Sequence, residues 1–148
     1  MTITALQLLF KRDLEKLKNE MELYTSEENL WRVGKSISNS AGNLCLHLIG
    51  NLNAFIGVGL AKTSYIRQRD LEFSATNIPR TTLIQQIEET ILTVETGLNN
   101  LTEAQLDDDF PIVIWDKPTK MGYTLIHLFS HLNYHLGQIN YHRRLLDS

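Results

Sequence analysis

A chain of 148 residues has the length of one domain, enough to bury roughly 70% of its unfolded surface in a single core. Hydrophobic residues at 43% and charged residues at 21%, without repeats or low-complexity tracts, exclude a disordered chain and indicate one domain over residues 1–148. The 14 Lys and Arg are scattered among 17 Asp and Glu, which leaves a net charge of -3 and no basic stripe for nucleic acid.

The opening MTITALQLLFKRDLEK lacks a basic segment followed by an apolar one, and no run reads as the roughly 18 apolar residues that cross a bilayer. A cytoplasmic protein with no membrane partner is expected. The single cysteine, Cys45, has no internal partner, in keeping with a reducing compartment.

Ile3, Leu6, Phe10, Leu14, Leu17, Met21 and Tyr24 recur at helical spacing with Lys11, Glu15 and Lys18 between them, which predicts an amphipathic first helix. Residues 25–40 carry Gly34 and a cluster of Ser and Asn that interrupts the pattern, with Ser38 or Ser40 suited to cap the next helix. Residues 41–60 read as a helix almost without charge, hence buried on most sides. Its glycines at 42, 50, 57 and 59 would admit a neighbouring helix or subunit, making it a candidate dimer interface. Residues 61–78 show no sustained period and read as a long connection.

Pro79 suits a helix start, and Ile84, Ile87, Ile91, Val94, Leu98 and Leu101 then mark a third helix. Residues 107–122, DDDFPIVIWDKPTKMG, predict an extended segment across one end of the molecule. A fourth helix is expected from about Tyr123 to Leu146, with Arg143 and Arg144 complementing its negative end. The fold class is therefore all-α, a four-helix bundle. Its long connections before the third and fourth helices favour an up-down-down-up order.

The stretch HLFSHLNYHLGQINYHRR holds four of the five histidines, with His127, His131 and His135 at every fourth residue. Side chains four apart differ by about 40° in direction and about 6 Å in rise, so adjacent imidazoles of this series can share an ion. His127 and His135 stand about 12 Å apart along the axis, too far for one ion. His131 therefore belongs to the pair whichever neighbour completes it.

A catalytic ion takes three protein ligands and keeps a position open, so one ligand must come from another helix. His47, midway along the most apolar segment, is the only histidine outside the last helix and the natural third ligand. Asn43 and Asn51 lie one turn to either side of it and form a polar stripe that needs a polar partner, which His127, His131, His135 and Gln138 offer. Cys45 points about 200° from His47 and serves packing. His142 is read as a surface or cleft-rim residue. A di-iron site is excluded because neither stripe carries a Glu, and no phosphate-binding loop is present.

On these motifs, NLCLHLIGNL and HLFSHLNYHLGQINYHRR, the chain resembles the DinB/YfiT-like superfamily of helical metalloenzymes. The likeness covers essentially the whole chain, and SYIRQRDLEFS is similar to a subfamily of undefined function. The resemblance implies an up-down-down-up bundle, a homodimer, and a zinc or nickel ion on His47, His131 and His135. His127 becomes a residue beside the site, with Asn43, Asn51 and Gln138. An Arg frequent after the last ligand is Leu136 here, which removes that group's contribution. Relatives that use low-molecular-weight thiols imply an S-transferase acting on a small-molecule substrate, with a metal-dependent hydrolase as the alternative. A non-enzymatic dimer with a structural ion or a histidine core is the remaining reading.

Overall fold

The structure, a computed structural model, describes all 148 residues. It comprises α1 (Thr2–Leu23), α2 (Ala41–Leu52), which continues as a π-helical segment (Asn53–Ala61), the short α3 (Arg69–Ser74), α4 (Arg80–Asn99) and α5 (Met121–Leu146). No strand forms. Two isolated bridges, Gly34 with Ile37 and Asp109 with Lys120, close loops.

The apolar series of α1 turns inward: Leu6, Phe10, Leu14, Leu17 and Met21 are buried in one core with α2, α4 and α5. Ser40 caps α2, its hydroxyl accepting from the Asn43 backbone N–H at 3.1 Å. The carbonyl of Pro79 receives the amides of Thr82 and Leu83, so α4 starts where the proline places it. On α4 the buried face is Leu83, Ile87, Val94 and Leu98, and the expected Ile84, Ile91 and Leu101 are only half-buried.

Polar pairs inside the bundle fix how the helices run. Asn133 donates to Asp13 and Asn140 to Glu20, both at 2.8 Å, so α1 and α5 are parallel. Gln7 donates to Asn99, and Arg80 to the Glu22 carbonyl, so α1 and α4 are antiparallel. Asn53 donates to Thr90 and Asn100 to the Leu60 carbonyl, so α2 follows the sense of α4.

Three expectations need correction. Residues 61–78 are more than a connection, because α3 lies within them and packs on α2. The glycines of α2 face parts of the same chain: a Cβ at Gly42 would meet Trp31, at Gly57 Thr63 and Thr93, and at Gly59 Phe110 and Ile112. That glycine face is filled from within and is no free surface for a subunit. Finally, Ala41–Ala61 is a 21-residue helix long and apolar enough by composition to cross a membrane, contrary to the reading of no such run, yet it is mostly buried inside the bundle.

Residues 107–122 fold back over one end. Phe110 N–H donates to the Thr119 carbonyl and Met121 N–H to that of Asp108, each at 2.8 Å. Phe110 and Ile112 then seat against Gly59, and Trp115 lies edge-on to His127 with ring centres 4.8 Å apart.

Candidate metal centre

His47 projects from the middle of α2, and His131 and His135 project from one face of α5 one turn apart. Their rings converge, with ligand atoms of all three within 4.8 Å of one another. The Nε2 atoms of His47 and His131 stand 3.1 Å apart. Two nitrogens on one ion at about 2.0–2.1 Å would lie about 2.8–3.4 Å apart for ordinary ligand angles, so this separation fits. The same separation also suits a hydrogen bond between the rings without an ion.

The far nitrogens set the tautomers. His47 Nδ1–H donates to Glu72 Oε1 at 3.0 Å, since a carboxylate only accepts, which leaves Nε2 with its lone pair toward the cluster. His135 Nδ1–H donates to Gln138 Oε1 at 2.7 Å with the same consequence. His131 Nδ1 is buried without a partner. Burial lowers the pKa of His47 against the opposing pull of Glu72, and burial with the neighbouring His135 and His47 brings His131 down to about 4. Neutral imidazoles of this kind are the form that ligates metal.

Glu72 was invisible in the sequence as a site residue. It arrives on α3, from the stretch without helical period, and its carboxylate is 6% exposed. Arg67 binds it at both oxygens, Nε to Oε2 at 2.9 Å and Nη2 to Oε1 at 3.0 Å. Arg67 Nη2 also stands 3.5 Å from His47 Nδ1, where two donors face and no bond forms. Beyond the likeness of SYIRQRDLEFS, which spans Arg67 and Glu72, the sequence signal was Gly50, one turn past His47, whose missing Cβ makes room for the Glu72 carboxylate.

The other expected site residues divide. Gln138 orients His135 as described. Asn43 does not face α5: its amide donates to the carbonyls of Glu72 and Ala75 at 3.0 and 2.8 Å, tying α3 to α2. Asn51 is buried, and its Oδ1 has no partner. His127 is exposed and lies against Trp115. The polar stripe of α2 thus finds its partners mainly in the segment 67–75. His142 is not a rim residue but 2% exposed, held by Tyr24 and the Arg32 carbonyl. Cys45 is fully buried in the core, which accords with a packing role.

Comparison with known proteins bears on this arrangement. A solved structure of a conserved protein from Enterococcus faecalis superposes with a TM-score of 0.73 at 16% identity, covering 97% of this chain and 95% of that one. The likeness establishes a shared fold. No curated protein matches the chain at a significant level. A protein family of unknown function, DUF1572, matches residues 5–148. The chain therefore belongs to the DUF1572 family.

Proposed function

We propose that the protein is a divalent-metal-dependent enzyme that binds zinc or nickel through His47, His131 and His135 and joins a low-molecular-weight thiol, as its thiolate, to an electrophilic small-molecule substrate. The observation that carries this reading is the openness of a three-nitrogen cluster: His47 is buried, but His131 and His135 are only half-buried. Structural ions are closed by four protein ligands, whereas three ligands beside solvent leave a position for a reactant. When bound, the ion supplies Lewis acidity that favours the thiolate form of a thiol.

The residues around the triad do the rest. Phe73, with its ring centre 4.8 Å from that of His47, and Tyr134, 5.3 Å from His135, are exposed and flank the cluster with apolar surface for a small-molecule substrate. Hydrolysis is the less favoured alternative, because activating water calls for a general base and Glu72 is fully engaged by Arg67 and His47. A cytoplasmic homodimer is part of the proposal.

Elemental analysis of the purified protein beside a His47→Ala, His131→Ala double variant, both checked for helicity, tests the reading. About one divalent ion per chain, lost in the variant, would support it and justify screening thiols against electrophiles. No ion in either protein after incubation with zinc, nickel or manganese would leave the histidines as a hydrogen-bonded core.

A further inference from the structure

We propose that Glu72 is a positioning residue for the metal centre: it fixes His47 as a ligand through the far side of its ring, and Arg67 prevents the carboxylate from becoming a ligand itself. The proposal rests on the metal-binding reading of the triad.

Four independent features converge on this carboxylate. Glu72 Oε1 accepts from His47 Nδ1–H at 3.0 Å, which commits Nε2 to the lone-pair form facing His131. Arg67 occupies both carboxylate oxygens with a planar fork. It thereby holds the Glu72 carboxylate turned toward Nδ1, away from the side where the three ligand atoms meet. Asn43 grips the backbone carbonyls of Glu72 and Ala75, so α3 is pinned to the same helix that carries His47. Gly50 supplies the space, because a Cβ there would overlap Glu72 Oε2.

The energetic logic favours a role beyond packing. A carboxylate this deeply buried is costly unless charge and hydrogen bonds compensate it, and here one Arg does so completely. The Arg67–Glu72 pair lies within one segment, and the carboxylate reaches α2 only through the His47 imidazole. A carboxylate on the outer nitrogen of a ligating histidine raises the basicity of the inner nitrogen and fixes the ring, and losing such a partner costs about 10- to 100-fold in metal affinity. Arg67 adds a second consequence. By occupying Glu72 it keeps the centre at three protein ligands, which preserves the open position.

The test uses the full chain and zinc in competition with a chromophoric chelator, with wild type, Glu72→Ala, Glu72→Gln and Gly50→Ala compared at equal helicity. Glu72→Ala should weaken zinc binding by about 10- to 100-fold. Gly50→Ala removes no polar group, and since the atom it displaces is the end of a flexible side chain, it should weaken binding similarly by pushing Glu72 off His47. Glu72→Gln keeps an acceptor for Nδ1–H but loses the fork with Arg67, so it should fall between.

Unchanged affinity in Glu72→Ala would overturn the proposal. In parallel, nitrogen NMR of histidine-labelled, metal-free protein should show His47 only as the Nδ1–H form in wild type and as a mixture in Glu72→Ala. If wild type binds no zinc, the metal reading fails and the positioning role falls with it; if wild type binds zinc, identical histidine spectra in the two proteins refute the positioning role alone.

Discussion

Tyr24 and His142 meet in the interior of the bundle, the tyrosine oxygen 2.7 Å from His142 Nδ1. The other ring nitrogen lies 2.8 Å from the Arg32 carbonyl, which can only accept, so Nε2 carries the proton and Nδ1 accepts from the Tyr24 hydroxyl. The neutral imidazole satisfies all three groups.

This pairing predicts acid sensitivity. Burial lowers the pKa of His142, outweighing the hydrogen bond to Arg32 that favours the charged form. The unfolded chain takes up this proton near pH 6.5, so below that pH it binds more protons than the folded chain and stability falls as pH falls. His47 and His131 are lowered too and act in the same direction. Thermal unfolding of metal-free protein from pH 7.5 to 5 should show a declining Tm, with a shallower decline in His142→Gln. A Tm that rises on acidification would contradict the assignment. Tyr24→Phe should cost about 1–3 kcal/mol by leaving Nδ1 without its donor.

Cys45 should be inert. Its thiol is fully buried, and burial pushes its pKa up to about 12. Thiolate, the reactive form, is therefore scarce at neutral pH. A thiol-specific chromogenic disulfide at pH 8 should label the chain only after denaturant is added. Rapid labelling of the native protein would show that α2 opens and exposes the thiol.

How much of this was legible beforehand follows from what a periodic pattern can encode. The series from Ile3 to Met21 states which face of α1 is buried, and the spacing of His127, His131 and His135 places adjacent imidazoles side by side without choosing the pair, because both are properties of one helix; the choice of His131 and His135 came from the family resemblance. His47 was legible as their counterpart since a polar residue amid Leu44, Leu48 and Leu52 demands a partner. Glu72 and Arg67 were not, because they act from a segment without period and reach His47 only through the notch at Gly50. His142 was misread for a related reason: its direction on α5 follows from spacing, but the Tyr24 hydroxyl and Arg32 carbonyl that bury it come from elsewhere. The α2 glycines invited a subunit on paper, whereas Trp31, Glu72 and Phe110 of the same chain fill them.

Asp147 fastens the end of α5 to the loop after α1. It accepts from Thr25 N–H at 2.8 Å, the Thr25 hydroxyl at 3.0 Å and Asn29 Nδ2 at 2.9 Å. Burial opposes its charge, but these hydrogen bonds from Asn29 and Thr25 outweigh it and pull the pKa to about 2. The folded value lies below the usual 3.8, so the contribution is present above that pH and disappears as pH falls from about 3.8 to 2. In Asp147→Asn the stability lost across this window should shrink relative to wild type, and amide exchange at residues 144–148 should quicken at neutral pH. Identical acid profiles for the two proteins would show that the clamp contributes nothing.

Gly137 gives the opposite sign from Gly50. It sits mid-way along α5 with nothing within 4 Å of where a Cβ would stand. Alanine there should gain the helix propensity that glycine forfeits, about 0.5–1 kcal/mol, with no clash to offset it. For a chain of this length that corresponds to a Tm increase of about 2–4 °C per kcal/mol. Gly137 neighbours an outer strip of α5 on which Tyr134, Tyr141 and Leu145 are exposed. The measurement therefore reads more than propensity. A Tm that falls in Gly137→Ala would mean that something packs closely on that strip in solution, and sedimentation of the variant against wild type would then show whether it is a second copy of the chain.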